Sequence, residues 1–145
     1  MRAARRRVYH ADPAQEADYN REYRRVNSDA VRQRKADDYR NNVIREKLRR
    51  GKNRAIKAGI PADDITVAEL LSDWERRVID PTRCVYTGEQ LQDGWHIDHA
   101  VPLSHPNTPG HVVANLVPCN PKVNVAKWRR HWIDFLADRA VAERV

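Results

Sequence analysis

The sequence predicts an α+β fold in which a basic, mainly helical arm precedes a small mixed domain. Charge is spread unevenly over the 145 residues: residues 1–60 hold 18 Lys and Arg against 8 Asp and Glu, and residues 61–145 hold 9 against 12. The first part spaces its few apolar residues as a helix does, and the second contains short apolar segments between Gly and Pro turns. We therefore expect an arm over 1–60 and a folded domain over 61–145.

The arm is predicted to form one or two exposed helices. Asp12-Pro13-Ala14-Gln15 is typical of a helix start, since Asp caps and Pro suits the first helical position. Gly59-Ile60-Pro61 is typical of a helix end. The apolar stripe between them is too thin to bury alone, so we expect these helices to order on binding.

The positive charge of the arm suits a polyanionic partner, and nucleic acid is the first expectation. The alternative is a solvated helix face that is merely rich in Arg. The candidate nucleic-acid contacts share a long cationic side chain and lie close together in sequence: Arg45, Arg49, Arg50, Lys52 and Arg54.

The second part contains signals for both helices and strands. Thr66-Val67-Ala68-Glu69 is a capping box, and it opens a predicted helix whose apolar face is Val67, Leu70, Leu71, Trp74 and Val78. Residues 84–86 and 95–101 are predicted to pair as a hairpin, and residues 115–118 to be extended. A last helix is predicted over 121–144, with a buried face of Trp128, Trp132, Phe135, Leu136 and Ala140.

Several classes of protein are disfavoured. Two cysteines make no disulfide framework, and the charged N-terminus has no apolar segment typical of a secretory signal. No apolar run approaches the roughly 20 residues of a membrane span. We expect a cytoplasmic protein with free thiols and no membrane partner.

Four polar residues in the second part suit chemistry on a phosphodiester. Asp98 and Asn124 offer a carboxylate and an amide oxygen, which are the ligands that Mg²⁺ takes in proteins. His99 has an imidazole that can accept a proton from water near neutral pH. A strand would direct Asp98 and His99 to opposite faces, so a bend is needed to bring both to one site.

These residues carry a resemblance to a known family. The segments Cys84-Val85-Tyr86-Thr87-Gly88 and Asp98-His99-Ala100-Val101-Pro102 are similar to the HNH domain of CRISPR-guided nucleases. Asn115-Leu116, with Asn124 nine residues after Asn115 and then Lys127, resembles the end of the same motif. Residues 84–127 therefore resemble the HNH endonucleases, whose core is a ββα-metal motif, and the arm resembles those of small phage members.

The resemblance implies a role for each residue. Asp98 and Asn124 would bind one divalent metal, His99 would be the general base, and Asn115 would hold the His99 loop or ring by a hydrogen bond. Lys127 would contact a phosphate, and His96 and His111 are further candidates. Because an amide oxygen stands where many members have His, Mg²⁺ or Mn²⁺ is favoured over Zn²⁺ or Ni²⁺.

Many members of this family also bind a structural zinc through two Cys-x-x-Cys pairs. Here Thr87 replaces the partner of Cys84, and Cys119 is one residue away from the expected position. Two thiols without matching pairs cannot complete a four-ligand zinc site, so no structural zinc is expected. Trp74, Trp95 and Trp128 would supply the stability instead.

The leading hypothesis from sequence is an HNH endonuclease that hydrolyses DNA in the cytoplasm, the host cytoplasm if the chain is phage-encoded. The alternative is a catalytically silent DNA-binding module with an HNH fold, associated with a packaging or restriction complex. The presence of Asp98, His99, Asn115 and Asn124 together favours the enzyme, because binding alone does not need all four.

Overall fold

The computed structural model describes residues 13–142, which contain five α-helices, two β-strands and a short 3₁₀ turn. In chain order these are α1 (Pro13–Val26), α2 (Ser28–Lys57), α3 (Val67–Arg76), β1 (His96–His99), the 3₁₀ turn (Val113–Asn115), β2 (Leu116–Cys119), α4 (Pro121–Lys127) and α5 (Trp132–Ala142). This mixture confirms the α+β class and the helical N-terminal region. The predicted cap at Asp12 and the predicted last residues of the final helix lie outside the described residues. No helix in the described range is long and apolar enough to cross a membrane.

The chain divides into two compact units between Arg40 and Asn41. The first contains α1, which buries no side chain. The second contains the latter half of α2, so the folded unit begins inside the segment that was predicted to be arm. Burial explains this boundary, because four residues of α2 at helical spacing are buried: Ile44, Leu48, Gly51 and Ala55. The predicted end of α2 is confirmed, since Gly59 has a positive φ of 68° and Ile60 N donates to Ala55 O at 2.9 Å.

The two strands of the second unit form an antiparallel sheet in which His99 pairs with Leu116 and His96 with Cys119. The predicted pairing of residues 84–86 with 95–101 is therefore wrong. Residues 84–89 instead close a local turn, in which Cys84 N donates to Glu89 O at 2.8 Å. The extended segment predicted over 115–118 supplies the true partner strand.

Each face of the sheet packs on a different apolar cluster. One cluster joins the sheet to α2 and α3 and consists of Ile44, Leu48, Leu70, Trp74, Ile97 and Leu116. The other joins the sheet to α4, α5 and the 84–89 turn and consists of Cys84, Tyr86, Val117, Cys119, Val123 and Phe135. Side chains alternate along a strand, so neighbouring residues of β1 face different clusters.

Helix α3 is fixed to the sheet through Trp74. The predicted capping box is confirmed, since Glu69 N donates to Thr66 Oγ1 at 3.2 Å and Thr66 N donates to Glu69 Oε2 at 2.7 Å. The Trp74 indole is 1% exposed, and its Nε1 donates to Leu116 O at 2.9 Å. The helix ends at Arg76, so Val78, predicted to be buried, is exposed.

The single helix predicted after residue 121 is wrong, because the chain breaks at Trp128 between α4 and α5. Trp128 adopts a positive φ of 51°, which cannot continue a right-handed helix. This turn leaves the Trp128 side chain 72% exposed and Trp132 40% exposed, so neither belongs to the core. Ala140 is exposed as well. Of the residues on the predicted buried face, only Phe135 is fully buried. Its ring packs edge-on against Tyr86, with 5.8 Å between the ring centroids.

We expect Trp74→Phe to lower the free energy of unfolding by about 1–3 kcal/mol, because it removes a buried hydrogen bond and leaves a cavity. Trp128→Phe is the matched control and should change stability by less than about 0.5 kcal/mol, since that ring is exposed. Urea unfolding followed by circular dichroism measures both. Equal losses in the two variants would contradict the packing described for Trp74.

Candidate functional site

Strand β1 lies at the centre of the candidate site and presents its polar residues in two directions. His96 and Asp98 face α4 and the 84–89 turn, whereas Ile97 and His99 face α2. The bend that would bring Asp98 and His99 to one face is absent from β1. The two residues that the sequence places side by side therefore occupy different environments.

Asp98 is held by two buried donors. Tyr86 Oη donates to Asp98 Oδ2 at 2.7 Å, and Lys127 Nζ lies 3.0 Å from the same oxygen. Burial and the adjacent carboxylate raise the pKa of Tyr86 far above its ordinary value, so its hydroxyl remains a donor. Both contacts use Oδ2, and Oδ1 has no hydrogen bond to any residue in the described range.

Lys127 is enclosed by the fold, which corrects the prediction that it contacts a phosphate. Its side chain is 0% exposed, and Nζ also donates to His99 O at 3.1 Å. A phosphate could reach this ammonium group only if the core opened. Lys127 is instead the buried partner of Asp98, and it ties α4 to β1.

Asn124 meets the sheet at His96 rather than at Asp98. The Asn124 side-chain Nδ2 lies 2.9 Å from His96 Nδ1, and both residues are half-buried. Burial, together with nearby Lys47 and Arg54, lowers the pKa of His96, whereas Asp98 acts in the opposite direction. His96 is thus close to both Asp98 and Asn124.

A cavity of about 480 Å³ opens beside His96 and Asn124. Its opposite wall is the last three turns of α2, whose polar side chains point into it. The residues that line it are Lys47, Arg50, Asn53, Arg54, Lys57, His96, Ile97 and Asn124. We call this cavity the basic cleft, because four of its eight lining residues are cationic.

His99 is buried on the α2 side of β1 and contacts a second histidine. Its Nε2 lies 3.1 Å from His111 Nδ1, and the ring is only 5% exposed. Burial, His111, Arg54 and Lys127 together lower the pKa of His99 to about 3. His99 is therefore neutral at pH 7 and able to accept a proton.

Asn115 holds the two loops that flank the histidine pair. Its Oδ1 accepts from Val101 N at 2.8 Å, and its Nδ2 donates to Val101 O and to Gly110 O, each at 2.9 Å. This side chain thus fixes the backbone just after His99 and just before His111. Asn115 supports the loop, as predicted, and makes no hydrogen bond to the His99 ring.

The predicted nucleic-acid contacts fall on two different surfaces. Arg50 and Arg54 line the basic cleft. Arg45, Arg49 and Lys52 line a separate cavity of about 320 Å³ beside His111. In that cavity Arg49 is paired with Glu46, and Lys52 is paired with Asp64 at 2.9 Å.

Several site residues were not predicted from sequence. Lys47 and Lys57 line the cleft together with Arg50 and Arg54. Each of these four cations is three or four residues from the next along one helix, and this spacing is a signal that could have identified the two lysines. Tyr86 carried no such signal, because its partner Asp98 lies twelve residues away, across a turn.

The donors on the α4 side of β1 fit a hard divalent cation in their chemistry. Asp98 Oδ1 carries no hydrogen bond to a described residue, Asn124 has an amide oxygen, and His96 is close to both. Mg²⁺ typically takes only one or two protein ligands, with water and substrate completing its shell. Residues 13–142 contain no group of three or more His, Cys, Asp or Glu side chains placed to hold a metal.

The two cysteines meet inside the second apolar cluster. Their sulfur atoms lie 4.0 Å apart, and both side chains are buried as free thiols. Burial and the neighbouring Cys84 raise the pKa of Cys119 above its ordinary range, so it stays protonated. The pair therefore packs as two small apolar groups in this structure.

Comparison with known proteins adds no relative: no family model, no curated protein and no solved structure matches this chain.

Lys127→Met should lower the free energy of unfolding by about 3–5 kcal/mol, because it leaves the buried Asp98 carboxylate without its cation. The matched control is Lys122→Met on the exposed surface of the same helix, with an expected change below about 0.5 kcal/mol. Chemical denaturation at neutral pH measures both variants. A Lys127→Met protein as stable as the control would contradict the buried ion pair.

Proposed function

We propose that this chain is an HNH-type endonuclease that hydrolyses DNA phosphodiester bonds with one divalent cation and His99 as general base. The observation that carries the proposal is the basic cleft, in which cationic side chains of α2 face His96 and Asn124. Arg54 extends this field to the base, since its charge acts on His96, His99 and His111 alike. A polyanion that enters the cleft therefore lies within the electrostatic reach of the histidines.

The order of elements supports the same proposal. Strand β1, strand β2 and helix α4 follow one another, and the antiparallel strands pack against the helix through Asp98 and Lys127. A ββα-metal core has this order of two strands and a helix. Membership of the HNH family is proposed because it accounts for both this order of elements and the sequence motifs.

Asp98 and Asn124 would hold the cation, with His96 as a third donor. When bound, a cation of this kind neutralises charge on the phosphate and stabilises the leaving oxygen. The carboxylate and amide oxygens favour Mg²⁺ or Mn²⁺. Tyr86 and Lys127 fix the Asp98 carboxylate through Oδ2, which orients Oδ1 without using it.

His99 would take the proton from the attacking water. It is neutral at pH 7, which is the form that accepts, but a pKa of about 3 is low for an efficient base. A phosphate next to the ring would raise that pKa, because a nearby anion stabilises imidazolium. Substrate binding would therefore make His99 a stronger base than it is in the free protein.

A second candidate function is a silent DNA-binding module, within a packaging or restriction complex. The observation that favours it is that Asp98 and His99 face opposite sides of β1 while Lys127 neutralises Asp98. Such a module would bind DNA through the same basic cleft without turnover. Activity and binding measured on the same protein separate the two candidates.

Nicking of supercoiled plasmid tests the enzyme directly. The wild type should nick with Mg²⁺ or Mn²⁺ and not with EDTA, and His99→Ala should lower the rate by about 10²- to 10⁴-fold, because the base is lost. His105→Ala is the matched control, since that histidine bonds within its own loop, and it should retain wild-type nicking.

Each other outcome has a distinct meaning. Nicking that survives in His99→Ala would rule out His99 as the base. DNA binding without nicking in any metal would reject the enzyme and favour the silent module.

DNA affinity should depend on the basic cleft more than on the first unit. We expect Arg50→Gln/Arg54→Gln/Lys57→Gln to weaken binding and to reduce the slope of log Kd against log salt by about 0.9 for each phosphate that the variant no longer neutralises. Arg32→Gln/Arg34→Gln/Lys35→Gln removes the same charge from the exposed surface of the first unit. Fluorescence anisotropy at several salt concentrations compares the two variants, and a larger loss of affinity in the second variant would place the DNA on the first unit.

A further inference from the structure

The contact between His99 and His111 links the proposed base to a residue that was only a further candidate from sequence. His99 Nε2 and His111 Nδ1 are 3.1 Å apart, which is a hydrogen bond between two ring nitrogens. One nitrogen must carry the hydrogen, and the other must accept it. The choice determines whether His99 Nδ1 is a bare acceptor or an N–H.

We propose that His111 is a positioning residue: its Nδ1 accepts the Nε2 hydrogen of His99 and so leaves His99 Nδ1 free to take a proton. This inference rests on the proposed function, because it assigns the proton-accepting atom of the same base. It adds that a second histidine sets both the tautomer and the orientation of the His99 ring.

The backbone around His111 is fixed closely enough for such a role. His111 N donates to Pro61 O, and Asp63 N donates to His111 O, each at 2.9 Å. Gly110 has a positive φ of 89°, and a Cβ there would lie 2.2 Å from Pro61 O, so only glycine fits. The Asn115 amide holds Gly110 and Val101 together, and this fixes the spacing of the two histidines.

Helix α2 leaves space for the pair. A Cβ on Gly51 would lie 2.7 Å from His111 Cε1 and 3.6 Å from His99 Cε1. The helix therefore passes directly over both rings, and a larger residue would displace His111. Glycine is less favourable than alanine inside a helix, so its presence here is consistent with a need for this close approach.

Charge distribution favours the proposed tautomer. Lys127 acts on His99 but not on His111, and a cation near a ring favours a bare lone pair over an N–H. Arg54 acts on both rings, and on His111 it acts more strongly than Asp63 does. Asp63 in turn acts on His111 more strongly than the opposing Lys52, and an anion favours an N–H. Because Arg54 is common to both rings, the charges that differ between them are Lys127 at His99 and, at His111, Asp63 with the weaker opposing Lys52. These charges favour a bare outer nitrogen on His99 and an outer N–H on His111.

The unpaired nitrogen of His111 is consistent with this direction. His111 is 1% exposed, and its Nε2 is the one buried side-chain nitrogen or oxygen in the described residues without a hydrogen-bond partner. If Nδ1 accepts from His99, Nε2 must carry a hydrogen. No described residue accepts that hydrogen, although His111 and Asp63 line the same cavity.

The tautomer can be measured without any nuclease assay. Histidine ¹⁵N shifts at neutral pH should show His99 Nδ1 as pyridine-like and His99 Nε2 as pyrrole-like in the full-length wild type. A pyrrole-like His99 Nδ1 would overturn the inference, whether or not the protein nicks DNA. If His99 Nδ1 is pyridine-like but the wild type shows no nicking, the proposed hydrolysis fails and the tautomer assignment stands.

Two variants of nearly equal side-chain shape then test whether His111 Nδ1 is the acceptor of the His99 Nε2 hydrogen. His111→Asn keeps an oxygen near the position of Nδ1, whereas His111→Leu has a methyl group there. We expect His111→Leu to lose the pyridine-like Nδ1 signal of His99 and to lower kcat for nicking by about 10²-fold with little change in KM. His111→Asn should restore most of both, and equal effects in two folded variants would show a purely structural role.

Discussion

The buried ion pair between Lys127 and Asp98 is the interaction on which the rest of the candidate site depends. The Lys127 ammonium reaches β1 from α4, bonds to the Asp98 carboxylate and also to the His99 carbonyl oxygen. One cation therefore fixes two consecutive residues of β1 from inside the protein. Burying two charges costs several kcal/mol for each ion, and good geometry with further hydrogen bonds must offset this. Tyr86 supplies such a bond, so the 84–89 turn is held to the same carboxylate.

Alternation along β1 separates the chemistry into two parts that share a backbone. The α4 side holds the oxygen and nitrogen donors, and the α2 side holds the histidine pair. Lys127 links the parts, because it bonds to a side chain on one face and to the backbone between them. Arg54 links them from outside, since its charge acts on histidines of both faces.

Local sequence signals predicted the ends of helices well, but they predicted the pairing of distant strands poorly. The Thr66 capping box and the Gly59 stop are determined by neighbouring residues, and both were predicted. The partner of β1 was not, because Cys84-Val85-Tyr86 and Leu116–Cys119 have equal strand character and only tertiary packing selects between them. The exposure of Trp128 was missed for a related reason: helical spacing cannot reveal a break caused by one residue with positive φ.

The candidate site shows the same limit in chemical terms. Asp98, His99, Asn115 and Asn124 are visible in sequence as residue types at fixed spacings, but spacing cannot show which atoms are already bonded. Lys127 illustrates this, because a lysine near a phosphate site and a lysine buried against a carboxylate have the same sequence signal. His111 illustrates the reverse, since it was only a further candidate from sequence and yet it contacts the proposed base.

Helix α2 is the element whose role changes most between sequence and structure. Its second half was assigned to an arm, yet it carries the buried Ile44 and Leu48, the cationic wall of the cleft and the Gly51 surface over the histidine pair. These features lie on different sides of one helix, so none can shift without moving the others. A helix that is anchored by its apolar side has its backbone already fixed, and it therefore loses less backbone entropy when a polyanion binds than a flexible arm would. The positive charge on the last three turns of α2, which was assigned from sequence to an arm, is therefore part of a rigid wall of the site.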